Sequence, residues 1–462
     1  MKDITHSELE EMTSKIENDI YSAKMDKSRS AILKVSIEIR HFLLNFSKRN
    51  RILFIEALMD RGCWETLVKL LAIAWREREE ETVKEITWIF QIIFGSSTDI
   101  IAEIIDFGIL PLYEKILSSN NPEILENVIW GYANIVADNC SIRNLFADLS
   151  LLENIYQIVM EKMEKERNFL LIKSFIIFLN YYFAPEPHLA FESVKYYLMT
   201  CIKFIVVLPR DHYEEVEDEL FNFLITATSM PSQEEMEIIY TSKVWNSFAS
   251  KLVEFLRDKN LELVKSVILI LQNLTYHTHE NLEIFMKVNL MEIIKEKISS
   301  KIVYIDFMNL VSNLASINQD FAELIVEISI FKSILQHIKV NDFNHDEISA
   351  SLEVVHVILA MYDSDKITHF LMKNIEYFSD IIMKINLKLP FECVKKIAKI
   401  LEAWFTLGDY YRLNKEVKEN PFVEFVYNSP EIINAIEYTQ MYQSSEVQCM
   451  FSNIIEKYFN IK

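Results

Sequence analysis

An apolar segment of the form h-x-x-h-h-x-x-h keeps returning along the chain, each time just after a residue suited to a break. It reads CWETLVKLLAIAW at 63–75, ILPLYEKILSS at 109–119 and LLENIYQIVME at 151–161. It returns as VWNSFASKLVEFL at 244–256, LMEIIKEKISS at 290–300, IFKSILQHIKV at 330–340 and IEYFSDIIMKI at 375–385. The residues just ahead are Gly62, Gly108, Ser150, Lys243, Asn289, Ser329 and Asn374, at spacings of 46, 42, 93, 46, 40 and 45. The 93 is about two periods, and a further copy, SVKYYLMTCIKFIVV at 193–207, falls inside it. Apolar residues at this rhythm predict helices with one buried face. Gly62, Gly108, Asn289 and Asn374 predict left-handed turns between helices, because Gly and Asn adopt that conformation at least cost.

A second helix precedes each break. Examples are KEITWIFQIIF at 84–94, ENVIWGYANIVAD at 126–138, SFIIFLNYYF at 174–183, DELFNFLITAT at 218–228, SVILILQNLT at 266–275 and DFMNLVSNLAS at 306–316. These are apolar nearly all round, as helices sandwiched between neighbouring repeats should be. Short polar loops at 118–123, 184–188, 228–235 and 340–347 separate the repeats. A helical period of 40–47 residues is the mark of armadillo and HEAT repeats. The predicted fold is all-α, a right-handed superhelical armadillo-repeat solenoid of about nine or ten repeats over residues 31–462. Residues 1–30 form a short segment ahead of it.

Composition narrows the function. With only five Gly and nine Pro in 462 residues, the chain lacks the turns of a sheet-rich protein and the Gly-rich loops of a nucleotide-binding enzyme. No proline occurs between Pro231 and Pro390. The formal charge of −21 repels phosphate backbones, so nucleic acid is not expected as a partner. Cys63, Cys140, Cys201, Cys393 and Cys449 are far apart and odd in number, which reads as reduced, buried thiols in an intracellular protein. The start, MKDITHSELEEM, has no apolar run of the signal-peptide kind. The longest apolar run, 174–185, is too short to span a bilayer, so membrane insertion is not expected.

No Walker loop, G-x-S-x-G or H-E-x-x-H is present, and no enzyme or cofactor is expected. His277 and His279 form an H-x-H without an evident third ligand, and read as an exposed loop pair. Trp and Asn say more. Trp88 and Trp130 are one period apart, so they hold the same repeat position. Trp130, Asn134 and Asp138 follow at i, i+4 and i+8, on one helix face. An indole stacks on a basic side chain, an amide both donates to and accepts from a peptide main chain, and a carboxylate pairs with an ammonium. Asn273 and Asn313 stand at equal distances ahead of their breaks, Asn289 and Ser329, and Asn180 holds the comparable place in the fourth repeat. Such a recurrence predicts a row of amides along an inner face, able to hold an extended peptide.

The stretch 85–146, with its Trp-to-Trp and Trp-to-Gly spacing, resembles the second and third repeats of the importin-α (karyopherin-α) family. The segment 429–460, ending in IEKYFN, is similar to that family's last repeat. The resemblance runs from about residue 30 to the end. It implies a nuclear import adaptor that shuttles between cytoplasm and nucleus. Its groove would bind Lys/Arg-rich nuclear localisation signals of cargo proteins, with importin-β and an export receptor as further partners. It further implies a major peptide site at Trp88, Trp130, Asn134, Asp138 and Asn180, and a minor one at Asn273 and Asn313. The chain departs from the family where Ile92 and Ile176 replace the major site's Asn and Trp, where Asn309 replaces a minor-site Trp, and near Leu352–His356. Residues 1–30 lack the family's basic importin-β-binding segment, so the groove should be open. The alternative reading is an armadillo-repeat interaction scaffold that has lost signal binding.

Overall fold

The computed structural model describes residues 5–26, 28–137, 140–148, 150–166, 170–184, 189–212, 214–277, 279–340, 344–361, 364–387, 389–415, 417–439 and 444–459. Among these every regular element is a helix. The chain divides into two compact units, Met1–Ala227 and Thr228–Lys462, with the border inside the helix Glu217–Ser229.

In the first unit the central helices Arg29–Asn45, Glu80–Ile93, Pro122–Val136 and Leu170–Phe183 pack side by side in chain order. In the second unit Leu261–Thr275, Tyr304–Ile317, His345–Met361, Phe391–Lys415 and Ser445–Phe459 form the same kind of ladder. Glu80–Ile93, Pro122–Val136 and Leu261–Thr275 begin a few residues earlier than their apolar patterns. Polar first turns, such as Glu80 and Glu81, are helical without being buried.

A repeat holds three helices, where the apolar pattern predicted two. The added one is short: Thr98–Asp106, Gln233–Tyr240, Gln319–Glu327 and Asp365–Lys373. Each is started by a side-chain cap, from Ser97, Ser232, Asn318 and Ser364. Ser232 and Glu235 close a full capping box. At eight or nine residues these helices are too short to show a helical period, and their caps are the signal the apolar pattern hides.

The break between the short helix and the next is left-handed at Gly62 (φ 66°), Gly108 (φ 87°), Ser150 (φ 50°), Asn289 (φ 59°) and Ser329 (φ 70°). Asn374 does not follow the expectation. Its φ is −128°, and its Nδ2 donates to Phe370 O at 2.7 Å, so the side chain satisfies a helix-end carbonyl in place of a left-handed turn.

Residues 6–26 are packed into the first unit. They form the helix His6–Asp26, which packs against Arg29–Asn45, Lys48–Asp60 and Cys63–Arg76. It buries Thr13, Ile16, Ile20 and Ala23. Arg61 pairs with its Glu10 at 2.5 Å and its Glu17 at 2.6 Å. Cys63, Cys201 and Cys393 are buried free thiols, but Cys449 is exposed, because the last helix packs on one side only.

Polar ties also repeat at the period. Glu323 accepts from Gln319 and from Ser364 Oγ, both at 2.7 Å, and lies 2.9 Å from Lys366 Nζ. Hydrogen bonds from Gln319 and Lys366 push its carboxyl down from an ordinary 4.5 to about 2. The folded value lies below the unfolded one, so this stabilisation is full above pH 4.5 and is lost as pH falls toward 2. Glu323→Gln should therefore flatten the acid limb of the stability curve over that interval. An unchanged acid limb would show that the carboxylate contributes nothing there.

Candidate functional site

Three central helices of the first unit, Glu80–Ile93, Pro122–Val136 and Leu170–Phe183, are largely buried except along one stripe each. On Pro122–Val136 the stripe runs Glu123, Glu126, Trp130, Asn134, at steps of three or four along the helix. On Glu80–Ile93 it runs Glu81, Lys84, Trp88, Ile92, and on Leu170–Phe183 it includes Lys173, Asn180 and Tyr181. Because these helices pack in order, the stripes lie side by side and make one face. Trp88, Trp130, Asn134 and Asn180 all lie on it. Asp138 lies outside the described residues.

The two indoles are in different states. Trp130 is half-buried and has no ring, hydrogen-bond or cation partner among the described residues. Trp88 carries the guanidinium of Arg40 over its ring, 4.9 Å from the centroid. Arg40 Nη1 donates to Glu85 Oε1 at 2.8 Å.

The amides are already partly engaged. Asn134 Nδ2 donates to Gln91 O at 2.9 Å, in the neighbouring central helix. That carbonyl lies in the last turn of its helix and is left over, since the Gly95 N–H turns to Ile92 O. Asn313 Nδ2 donates to Gln272 O at 3.1 Å, where the Tyr276 N–H turns to Asn273 O and Thr275 Oγ1 adds a second donor at 3.3 Å. Asn180 Nδ2 reaches Glu219 O at 2.7 Å, and Asn273 Nδ2 reaches Thr228 Oγ1 at 3.0 Å. The amide row is thus first a set of clamps between helices of the same chain. A buried carbonyl without a donor is costly, and the nearest Asn supplies one. Asn134 keeps its Oδ1 and its second N–H without a protein partner among the described residues.

Beside Asn134 lies a cleft of about 260 Å³, whose lining includes Phe94, Gly95, Ile101, Ala137 and Tyr181. Tyr181 is 41% exposed and was not anticipated as a site residue. The charges on this face are largely balanced within the chain. Lys84 bridges Glu81 at 2.8 Å and Glu123 at 3.3 Å. Burial raises the Glu126 carboxyl above its ordinary value, and the charge of Lys173 pulls it back.

In the second unit Asn309 is exposed. Leu352 is core, and His356 is half-buried. Burial lowers the His356 value, Glu353 opposes this, and Lys399 and Lys396 add to it. Lys396, from the next central helix, pairs with Glu353 at 2.9 Å. His277 and His279 are half-buried rather than exposed. His279 Nδ1 accepts from Asn281 N at 3.1 Å, and its ring lies 4.8 Å from that of Tyr240. No group of three or more His, Cys, Asp or Glu among the described residues could hold a metal ion. No helix among them is long and apolar enough to cross a membrane.

No family model matches the sequence, and no curated protein matches it. Solved structures do. An engineered protein aligns over 96% of this chain and 98% of its own, at 15% identity and a TM-score of 0.71. A chain from work on a phosphorylation switch controlling the interaction between cadherin and β-catenin aligns over 95% and 96%, at 11% identity and a TM-score of 0.59. The fold is an armadillo-repeat solenoid. A designed armadillo-repeat protein also aligns, over 56% of this chain and 98% of its own, at 15% identity and a TM-score of 0.44. At these identities the alignments speak to the fold alone. The three-helix repeats and their left-handed breaks meet the same description from within the chain.

Proposed function

We propose that the protein is an armadillo-repeat scaffold for protein–protein interaction, and that it binds an extended partner segment across the central-helix face of its first unit. One observation carries the reading. Trp130 stands in the middle of a helix that buries almost everything else, yet its indole is left partly in solvent without a partner. Partly exposed indoles are typical anchors for a partner. Asn134, one turn on, supplies an amide edge for a main chain.

The finer reading is an import adaptor of the importin-α kind. It would take Lys/Arg-rich nuclear localisation signals at Trp130, Asn134 and Asp138, and move between cytoplasm and nucleus. The spacing of those three residues supports it. The in-chain neutralisation of the face by Arg40 and Lys84 favours the broader scaffold reading.

A peptide library selected on the full chain tests both. Selected peptides should bind Trp130→Ala about ten-fold more weakly or worse. Binders indifferent to Trp130 would remove this face from the function. For the import reading they should be rich in Lys and Arg, and should weaken as the Debye length falls from ~10 Å at 0.1 M salt to ~3 Å at 1 M. Neutral, salt-indifferent binders that still need Trp130 would leave the scaffold and end the adaptor.

A further inference from the structure

We propose that Arg40 is a built-in occupant of the Trp88 slot. Of the two indoles at this repeat position, Trp130 is then the one open to a partner among the described residues, and the partner group that passes Trp88 is a hydrogen-bond acceptor and not a cation. The second half of this inference rests on the scaffold reading above; the first half does not.

The geometry is that of a filled cation site. The Arg40 guanidinium lies 4.9 Å from the Trp88 ring centroid, within the range where a cation is held by the ring's negative face. Its Nη1 is fixed by Glu85 Oε1 at 2.8 Å. Glu85 is only 8% exposed, and its Oε2 is buried with no hydrogen-bond partner. A carboxylate so placed needs a nearby positive charge, and Arg40 supplies it. Arg40 belongs to Arg29–Asn45 and Trp88 and Glu85 to Glu80–Ile93, two helices that pack together, so the occupant comes from the adjoining repeat.

The consequence for a partner is a change of chemistry. The Arg40 side chain is 37% exposed, and its donors other than Nη1 have no protein partner among the described residues. A guanidinium fixed over a ring through one of its nitrogens keeps further N–H groups to donate. They fit a main-chain carbonyl or a carboxylate of the passing segment. A Lys or Arg arriving there would meet a like charge. At Trp130, one period further along, no such occupant is present among the described residues.

Chemical rescue tests the occupancy by itself. In Arg40→Ala the slot should stand empty, and ethylguanidinium at millimolar concentration should raise the melting temperature of this variant. It should not do so for the parent chain or for Arg40→Ala/Trp88→Ala. No difference among the three would overturn the occupancy. Because Arg40→Ala leaves Glu85 unpaired, Arg40→Ala/Glu85→Gln serves as a second background, in which the ring alone should give a weaker rescue. A hexalysine peptide tests the consequence. It should bind Arg40→Ala about five-fold more tightly than the parent, with the gain lost in Arg40→Ala/Trp88→Ala. Rescue without any peptide gain would leave Arg40 as occupant and overturn its effect on partner choice.

Discussion

Gly408→Ala is expected to destabilise the second unit by about 2–4 kcal/mol, although alanine is the better helix former. Gly408 is buried inside the helix Phe391–Lys415. A methyl group there would overlap the carboxamide of Asn420, with Cγ 2.6 Å and Nδ2 2.8 Å away. Asn420 cannot step aside. Its Oδ1 accepts from the N–H groups of Phe422 and Val423, at 3.1 and 3.3 Å, and so starts the helix Pro421–Tyr427. Its Nδ2 donates to Phe405 O at 2.7 Å and to Asp409 Oδ1 at 3.0 Å. Overpacking costs about 1–3 kcal/mol, and a lost cap about 1 more. Denaturant melts of the parent, Gly408→Ala and Gly408→Ala/Asn420→Ala check the mechanism. The double variant should cost less than the two single changes added together, because removing the carboxamide removes the clash. A Gly408→Ala melt within experimental error of the parent would refute the close approach.

Deleting residues 1–26 is expected to cost the first unit roughly 4 kcal/mol, since Ile16 and Ile20 are fully buried and each such side chain contributes about 1.5–3 kcal/mol. The deletion also strips Arg61 of Glu10 and Glu17. From the sequence this stretch had only a negative reading, the lack of a basic cluster, which says nothing of packing. Cys63 gives a direct readout. Burial is the main reason its thiol is pushed up to about 12, and the neighbouring charge of Glu17 adds to this. Once uncovered, the thiol should fall back toward 9, and its thiolate fraction near neutral pH should rise. Labelling with a thiol reagent should be faster at Cys63 in the truncated chain, with Cys449 as the exposed reference. Unchanged labelling and an unchanged melt would mean that the helix His6–Asp26 is only loosely held.

The sequence by itself determined the all-α class, the period and the positions of the breaks. These follow from local chemistry: apolar residues at helical spacing, and Gly or Asn where a left-handed turn is cheap, as at Gly62, Gly108 and Asn289. It also placed Trp130 and Asn134 on one helix face by spacing alone, and gave Trp88 and Asn180 comparable repeat positions. It could not say what each side chain on that face touches. Arg40 meets Trp88, and Asn134 meets Gln91, across a full repeat of intervening chain, and Gly408 and Asn420 meet across a helix end. Such pairings depend on how neighbouring helices are rotated against each other, which the summed packing of many buried side chains decides. So Trp88 and Trp130, identical in repeat position, became a filled slot and an open one only when the helix carrying Arg40 docked beside Trp88.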